Sequence, residues 1–238
     1  MPKLHVLLKK EELDAARLEG KVVVVVDVLF ATSTIVHALD AGAAAVWPAT
    51  DREAAETLAA GMEGCLLAGE YMTDEIPGFA PATPLALAAA APDGCSVVYC
   101  TTNGTVALAR AAVASHVYVA ALSNAEALAS HVVQAHPGAG VLIVCAGSHD
   151  RFNLEDFYCA GHLVAHFRRL GDYDLTDAAI AAAMVRQACE PLVALSSSRV
   201  GRLMGRRGMS REVESAARAD HSRTVPVLRD GRLRGVDA

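Results

Sequence analysis

The stretch Val22-Val23-Val24-Val25-Val26-Asp27-Val28-Leu29-Phe30-Ala31-Thr32-Ser33-Thr34 decides the fold class. Five consecutive valines without alternation read as a strand buried on both faces, the mark of a mostly parallel sheet covered by helices. The carboxylate that closes the run stands at the carboxyl end of a strand, where open α/β sheets bind ligands. Ala31-Thr32-Ser33-Thr34 then opens a helix, offering hydroxyls and free backbone N–H groups either to ordinary capping or to an anion.

Working outward, similar apolar runs at residues 4–8, 44–47, 65–68, 96–100, 116–120 and 141–145 predict further strands, with Ala-rich helical stretches between them. The expected architecture is α/β, a three-layer α/β/α arrangement with a largely parallel sheet. Two apparent capping boxes, Thr50 with Glu53 and Ser123 with Glu126, announce helices. Aligning residues 27–70 with 100–147 pairs Thr34 with Thr105, Trp47 with Tyr118 and Glu53 with Glu126. This suggests a single domain over 1–238 with a candidate internal duplication of about 22–95 and 96–170, and an active site between the two related halves.

Beyond Ala146 the pattern turns helical, over 153–170 and then 177–190, with Thr176 as a cap and Pro191 as an interruption. Residues 224–233 read as a hairpin around Asp230-Gly231.

With 238 residues, 53% of them apolar and 20% charged, the chain has the composition of a soluble globular protein. No apolar run approaches the roughly 20 residues that span a bilayer. The N-terminus, Met1-Pro2-Lys3-Leu4-His5, lacks the long apolar stretch of a secretory signal, so a cytoplasmic location is expected. Six cysteines without CxxC spacing are expected as free thiols rather than disulfides or a zinc site.

The net charge of −6 divides into −11 over residues 1–198 and +5 over 199–238. The basic tail carries no aromatic residue on which bases could stack, which argues against a nucleic-acid partner. Complementarity with the acidic body, within one chain or between two, is the better reading, and a homodimer is expected.

Thr101-Thr102-Asn103-Gly104-Thr105 repeats the hydroxyl-rich strand-to-helix arrangement of Thr32-Ser33-Thr34, with Gly104 allowing close approach of a ligand. Neither segment is a P-loop, since GxxxxGK[ST] is absent, so nucleoside triphosphates are disfavoured. Acidic groups recur near other strand ends, as Glu70 and as Glu155-Asp156. Together with Asp27 these offer the hard oxygen ligands that magnesium prefers, although carboxylates at a helix start also complement its dipole. His149, in the loop Gly147-Ser148-His149-Asp150-Arg151, is a candidate general acid. His162 and His166 make a helical i, i+4 pair of a kind commoner on solvated surfaces than in metal sites.

At Val26-Asp27-Val28-Leu29-Phe30-Ala31-Thr32-Ser33-Thr34, Gly69-Glu70, Ile76-Pro77-Gly78-Phe79, Thr101 to Thr105, and Ala146-Gly147 through Glu155-Asp156 with Ala160-Gly161, the chain resembles the 2-phosphosulfolactate phosphatase family. The likeness extends to Val225-Pro226-Val227. It implies a cytosolic, magnesium-dependent phosphatase acting on the phosphate monoester of 2-phospho-3-sulfolactate, or a related small phosphorylated acid, on a route to coenzyme M. Asp27, Asn103 and His149 are then the expected catalytic groups. Asp27, Glu70, Glu155 and Asp156 are the expected metal ligands. Thr32, Ser33, Thr34, Thr101, Thr102, Gly104, Thr105 and Arg151 are the expected substrate contacts.

The sequence departs from the family pattern at Phe30 and Tyr71, where arginines are expected, and at Ala82, where an asparagine is expected. Hydrogen bonds to charged groups contribute roughly 1.5–3 kcal/mol each. Two uncompensated losses would therefore turn the chain toward a different substrate, or toward a non-catalytic anion-binding homologue. Arg151 and Arg110 are candidates for compensation.

Overall fold

The computed structural model describes residues 1–91 and 93–236. In chain order the elements are β1 (Lys3–Leu7), β2 (Lys21–Val26), α1 (Ala31–Asp40), β3 (Ala45–Ala49), α2 (Arg52–Ala60), β4 (Leu66–Tyr71), β5 (Asp74–Glu75), α3 (Pro84–Ala90), β6 (Ser96–Cys100), α4 (Gly104–Ala111), β7 (His116–Ala120), α5 (Ala125–Ala135) and β8 (Gly140–Cys145). They continue with α6 (Leu154–Leu170), β9 (Asp174–Leu175), α7 (Asp177–Ala188), α8 (Pro191–Ser197), α9 (Arg199–Arg206), α10 (Ser210–Ala216), β10 (Pro226–Arg229) and β11 (Arg232–Gly235).

All seven strands expected from apolar runs are present. They belong to one mixed, mostly parallel sheet of 11 strands in the order β5-β4-β6-β3-β11-β10-β7-β2-β8-β1-β9, with helices on both faces. The valine run of β2 lies between β7 and β8, both parallel to it. Val22, Val24 and Val26 enter one core cluster with α5, α6 and α7, whereas Val23 and Val25 enter the other with Ile35 of α1 and Leu108 of α4. Every valine in the run therefore finds an apolar partner layer, each contributing roughly 1.5–3 kcal/mol on burial.

The sheet has two parallel blocks. Within them, β2 of the first aligned segment lies between β7 and β8 of the second, and β6 of the second lies between β3 and β4 of the first. The expected hairpin is β10–β11, turning at Asp230 (φ 50) and Gly231 (φ 74), the two left-handed residues of a tight primed turn. It is no peripheral ornament. β11 pairs with β3 and β10 with β7, both antiparallel, so the hairpin joins the blocks at the middle of the sheet and reverses their direction.

Helix starts differ from the sequence reading in detail. The cap of α2 is Asp51, which accepts from the Ala54 N–H at 2.9 Å, while Thr50 donates to Asp51. Asn124, not Ser123, precedes α5, and its Oδ1 accepts from Ala121 N–H at 2.8 Å. The Ser123 hydroxyl is buried without a hydrogen-bond partner among the described residues. Past Pro191 the chain forms three short helices that the sequence reading did not resolve. All six cysteines are free. No single helix among the described residues is long and apolar enough to cross a membrane.

Candidate active site

The loops that leave β2, β4, β6 and β8 meet at one cavity of about 620 Å³. Asp27, Glu70, Thr101, Thr102, Asn103, Ser148 and His149 line it, and Arg199, Met204 and Arg211 close it from α9 and α10. The cavity thus takes residues from both aligned segments and a wall from the C-terminal helices.

Asp27 sits at its floor, 7% exposed. Thr32 holds the backbone on either side of it: the Thr32 hydroxyl accepts from Asp27 N–H at 3.0 Å and donates to Asp27 C=O at 2.9 Å. Thr105 repeats this bonding on Thr101, at 3.1 and 2.9 Å. Thr32 thus plays toward Asp27 the hydrogen-bonding part that Thr105 plays toward Thr101. Gly104 is required where the loops touch, because a Cβ there would stand 2.4 Å from Ala31 Cβ and 2.6 Å from Asp27 Oδ2. Burial pushes the Asp27 carboxyl up to about 7, with Glu70 and Glu155 adding to the rise; Lys10 and the Ala31 N–H oppose it.

Glu70 is fixed by the opposite loop. Its Oε1 accepts from Thr102 N–H at 2.7 Å and its Oε2 from the Thr102 hydroxyl at 3.3 Å and from Thr73 N–H. Asn103 accepts at Oδ1 from the buried ammonium of Lys10 at 3.1 Å, which orients the amide and leaves its NH₂ as a donor for a guest. Lys10 also donates to Ala146 C=O at 3.2 Å.

The hydroxyls of Thr32, Ser33, Thr34 and Thr105 face backbone rather than cavity. Ser33 donates to Val28 C=O at 2.8 Å and Thr34 to Ala82 C=O at 2.9 Å. These side chains hold the loops that form the cavity, and the structure gives them no direct line to a guest.

Glu155 and Asp156, adjacent in sequence, are placed in unlike settings. Asp156 is fully buried and spans the ends of β2 and β8, accepting from Val28 N–H at 2.9 Å and Gly147 N–H at 3.1 Å. It does not line the cavity. Burial, then the neighbouring Asp27 and Glu155, pushes its carboxyl well above the usual range, against the pull of the two N–H groups. Glu155, 1% exposed, does not line the cavity either, but lies behind it and keeps Oε2 without any hydrogen-bond partner among the described residues. Burial raises its carboxyl, while Ser198 and Arg199 favour its charged form.

A buried, unpartnered carboxylate oxygen near a second buried carboxylate is an arrangement that a cation would relieve. Asp27, Glu155 and Glu70 offer only oxygen, which fits magnesium. Their oxygens do not close within 4.8 Å of one another as a three-ligand cage among the described residues.

The cations of the site come from residues the sequence reading did not select. Arg199 donates to Asn153 Oδ1 at 3.2 Å and to the Ser148 hydroxyl, and Arg211 lines the same cavity. Arg151 stands exposed in a tight turn with Ser148 and Arg110 donates to Lys10 C=O at 3.3 Å; neither lines the cavity. The available signal was the positive tail facing an acidic body. Within this chain that complementarity takes the form of Arg207 paired with Asp74 at 2.9 Å and Arg199 beside Glu155. Phe30 and Ala82 line the main cavity, and Tyr71 lines an adjoining one of about 390 Å³ that shares Glu70, Glu75, Thr101 and Thr102 with it.

Comparison with known proteins identifies the family of the chain. A family model described as 2-phosphosulpholactate phosphatase matches residues 7–231. A probable 2-phosphosulfolactate phosphatase of Deinococcus radiodurans is 41% identical over 213 residues, 88% of each chain. Proteins of the same description from Thermus thermophilus and Carboxydothermus hydrogenoformans are 39% identical over 215 residues, 89% of each chain, and 32% identical over 234 residues, 97% of this chain and 96% of the relative.

Proposed function

The chain belongs to the 2-phosphosulpholactate phosphatase family of phosphoric monoester hydrolases, and from that membership we propose that it hydrolyses the phosphate monoester of 2-phospho-3-sulfolactate or a closely related small phosphorylated acid. We take magnesium as its cofactor and the cytoplasm as its location, where six free thiols stay reduced. A place on a coenzyme M route belongs to the same reading. The observation that carries it is the convergence of Asp27, Glu70 and Asn103 on one cavity that Arg199 and Arg211 also line.

A substrate with phosphate, sulfonate and carboxylate groups needs fixed donors. Asn103 NH₂ would bind a phosphoryl oxygen, held in aim by Lys10 behind it. Arg199 and Arg211 would receive the remaining anionic groups, taking over from the arginines absent at positions 30 and 71. The cavity is therefore not short of cations, and a purely binding role is not favoured.

Asp27 and Glu155 would hold magnesium, with Glu70 beside them. The bound ion supplies neutralisation of charge on the phosphoryl oxygens. In hydrolysis a water oxygen bonds to phosphorus, the ester P–O bond breaks, and the departing alcohol oxygen takes up a proton. His149, on the cavity wall in a left-handed backbone conformation (φ 52), would give that proton.

Magnesium-dependent phosphate release from a panel of small phosphorylated acids tests the proposal, with Asp27→Asn and Glu70→Gln as controls. Turnover that needs magnesium and falls at least 10²-fold in Asp27→Asn is expected. Unchanged turnover in both variants would remove the metal assignment, and no turnover across the panel would remove the enzymatic one.

A further inference from the structure

A second polar cluster lies outside the cavity, between α6 and the segment that leads into β10. His162 and His166, one turn apart on α6, both direct Nε2 at a single oxygen of Asp220, at 2.8 and 3.1 Å. The two Nε2 atoms are 3.3 Å apart. None of the three residues lines the catalytic cavity.

These distances make a nearly equilateral triangle. If the contacts were only hydrogen bonds, two N–H groups would crowd one oxygen at an angle much narrower than the separation of its lone pairs. The triangle matches instead one face of a tetrahedron around a transition metal. Bonds of about 2.0–2.1 Å to imidazole nitrogen and carboxylate oxygen place ligand atoms about 3.3 Å apart.

The surroundings hold the triangle in place. Asp220 is in the left-handed region (φ 54), where its N–H donates to Leu122 C=O at 3.0 Å. Its other oxygen accepts from Glu126 N–H at 3.0 Å, which leaves Oδ2 turned to the histidines. Both histidine side chains are well covered, 6% and 13% exposed, with the rings edge to face.

We propose that His162, His166 and Asp220 form a binding site for one divalent transition-metal ion, zinc by its ligand chemistry, separate from the catalytic cavity. Imidazole donors select such ions over magnesium, and a fourth position stays open to water. The site would tie α6 to the chain entering the β10–β11 hairpin, the piece that joins the two sheet blocks. In the metal-free protein Arg186 donates to His162 Nδ1 at 3.2 Å and Arg169 to His166 Nδ1 at 3.3 Å, so loading moves the imidazole proton to Nδ1 and releases both contacts.

The test is Co²⁺ and Zn²⁺ titration of the full chain carrying Asp27→Asn, which disables the oxygen-rich site, followed by visible absorption of the cobalt form and thermal melting with zinc. The expected result is one equivalent of Co²⁺ with an intense low-coordinate spectrum, a raised Tm with Zn²⁺, and persistence of both in excess Mg²⁺. Adding His166→Gln or Asp220→Asn should weaken uptake at least tenfold and abolish the spectrum, while melting without metal checks that each variant is folded. No uptake by the Asp27→Asn protein, or a spectrum and stoichiometry untouched by His166→Gln and Asp220→Asn, would overturn the assignment.

Discussion

Asp156 Oδ1 accepts the backbone N–H of Val28 at 2.9 Å across 128 positions of chain. This bond, with its companion from Oδ2 to Gly147 N–H, fastens the loop after β2 to the loop after β8. An acidic residue beside Glu155 that invites reading as a metal ligand is thus engaged with backbone on both oxygens.

Asp156→Asn keeps one acceptor and turns an NH₂ group against the other N–H. It should cost about 1–3 kcal/mol, the penalty of an unsatisfied buried donor. For a domain of this size that is a Tm lower by about 2–4 °C per kcal/mol. Thermal and urea melts check it. An unchanged melting point would show that the two amides find other partners.

Gly104→Ala places a methyl against Ala31 and the Asp27 carboxylate. The backbone at Gly104 is helical rather than left-handed, so the penalty is steric, about 1–3 kcal/mol of overpacking. Because Asp27 supplies two of the three atoms nearest the new methyl, phosphatase activity should fall by about 10²-fold or more, with the fold retained. Activity and circular dichroism measured on the same sample distinguish this from unfolding.

The raised Asp27 carboxyl makes the metal-free protein sensitive to pH. Its folded value of about 7 lies above the roughly 3.9 of an unfolded aspartate, so the folded state binds more protons between them. Stability from this group is present in full below about pH 4, declines as pH rises, and is lost above about 7. Urea melts in chelator from about pH 4.5 to 8.5 should show this fall. Asp27→Asn should make it shallower, the remainder coming from the raised Glu155 and Asp156 carboxyls, and leave the protein more stable than the parent at pH 8. A slope left unchanged by the substitution would assign the effect to another group.

Arg199 is predicted to bind substrate rather than hold the fold. Arg199→Met should lower kcat/KM about 10- to 10²-fold, the value of one charged hydrogen bond or two, and shift Tm little. Arg199→Lys should recover only part, because an ammonium lacks the planar fork. Arg151→Ala, outside the cavity, should change kcat/KM less than about twofold. The reverse ranking would return the substrate contact to Arg151.

What the sequence determined by itself is local. The unbroken valines 22–26, the other apolar runs and the Asp230-Gly231 turn carry their strand and hairpin signals within a few residues, because burial on two faces and left-handed backbone are demands on neighbouring positions. The placing of Asp27, Glu70 and Asn103 at strand ends followed from the same periodicity. Tertiary structure alone decided where side chains of like chemistry point. Thr32, Ser33 and Thr34 turn to carbonyls of their own and a distant loop, Asp156 turns to backbone while Glu155 beside it keeps a free oxygen, and α9 brings Arg199 over a cavity more than 40 residues from the nearest other lining residue before it in the chain. A helix start fixes which residue types are near a site, but their direction depends on the packing of segments far away in the chain. His162 and His166 looked like surface residues until the fold set Asp220, 54 positions on, against their edges.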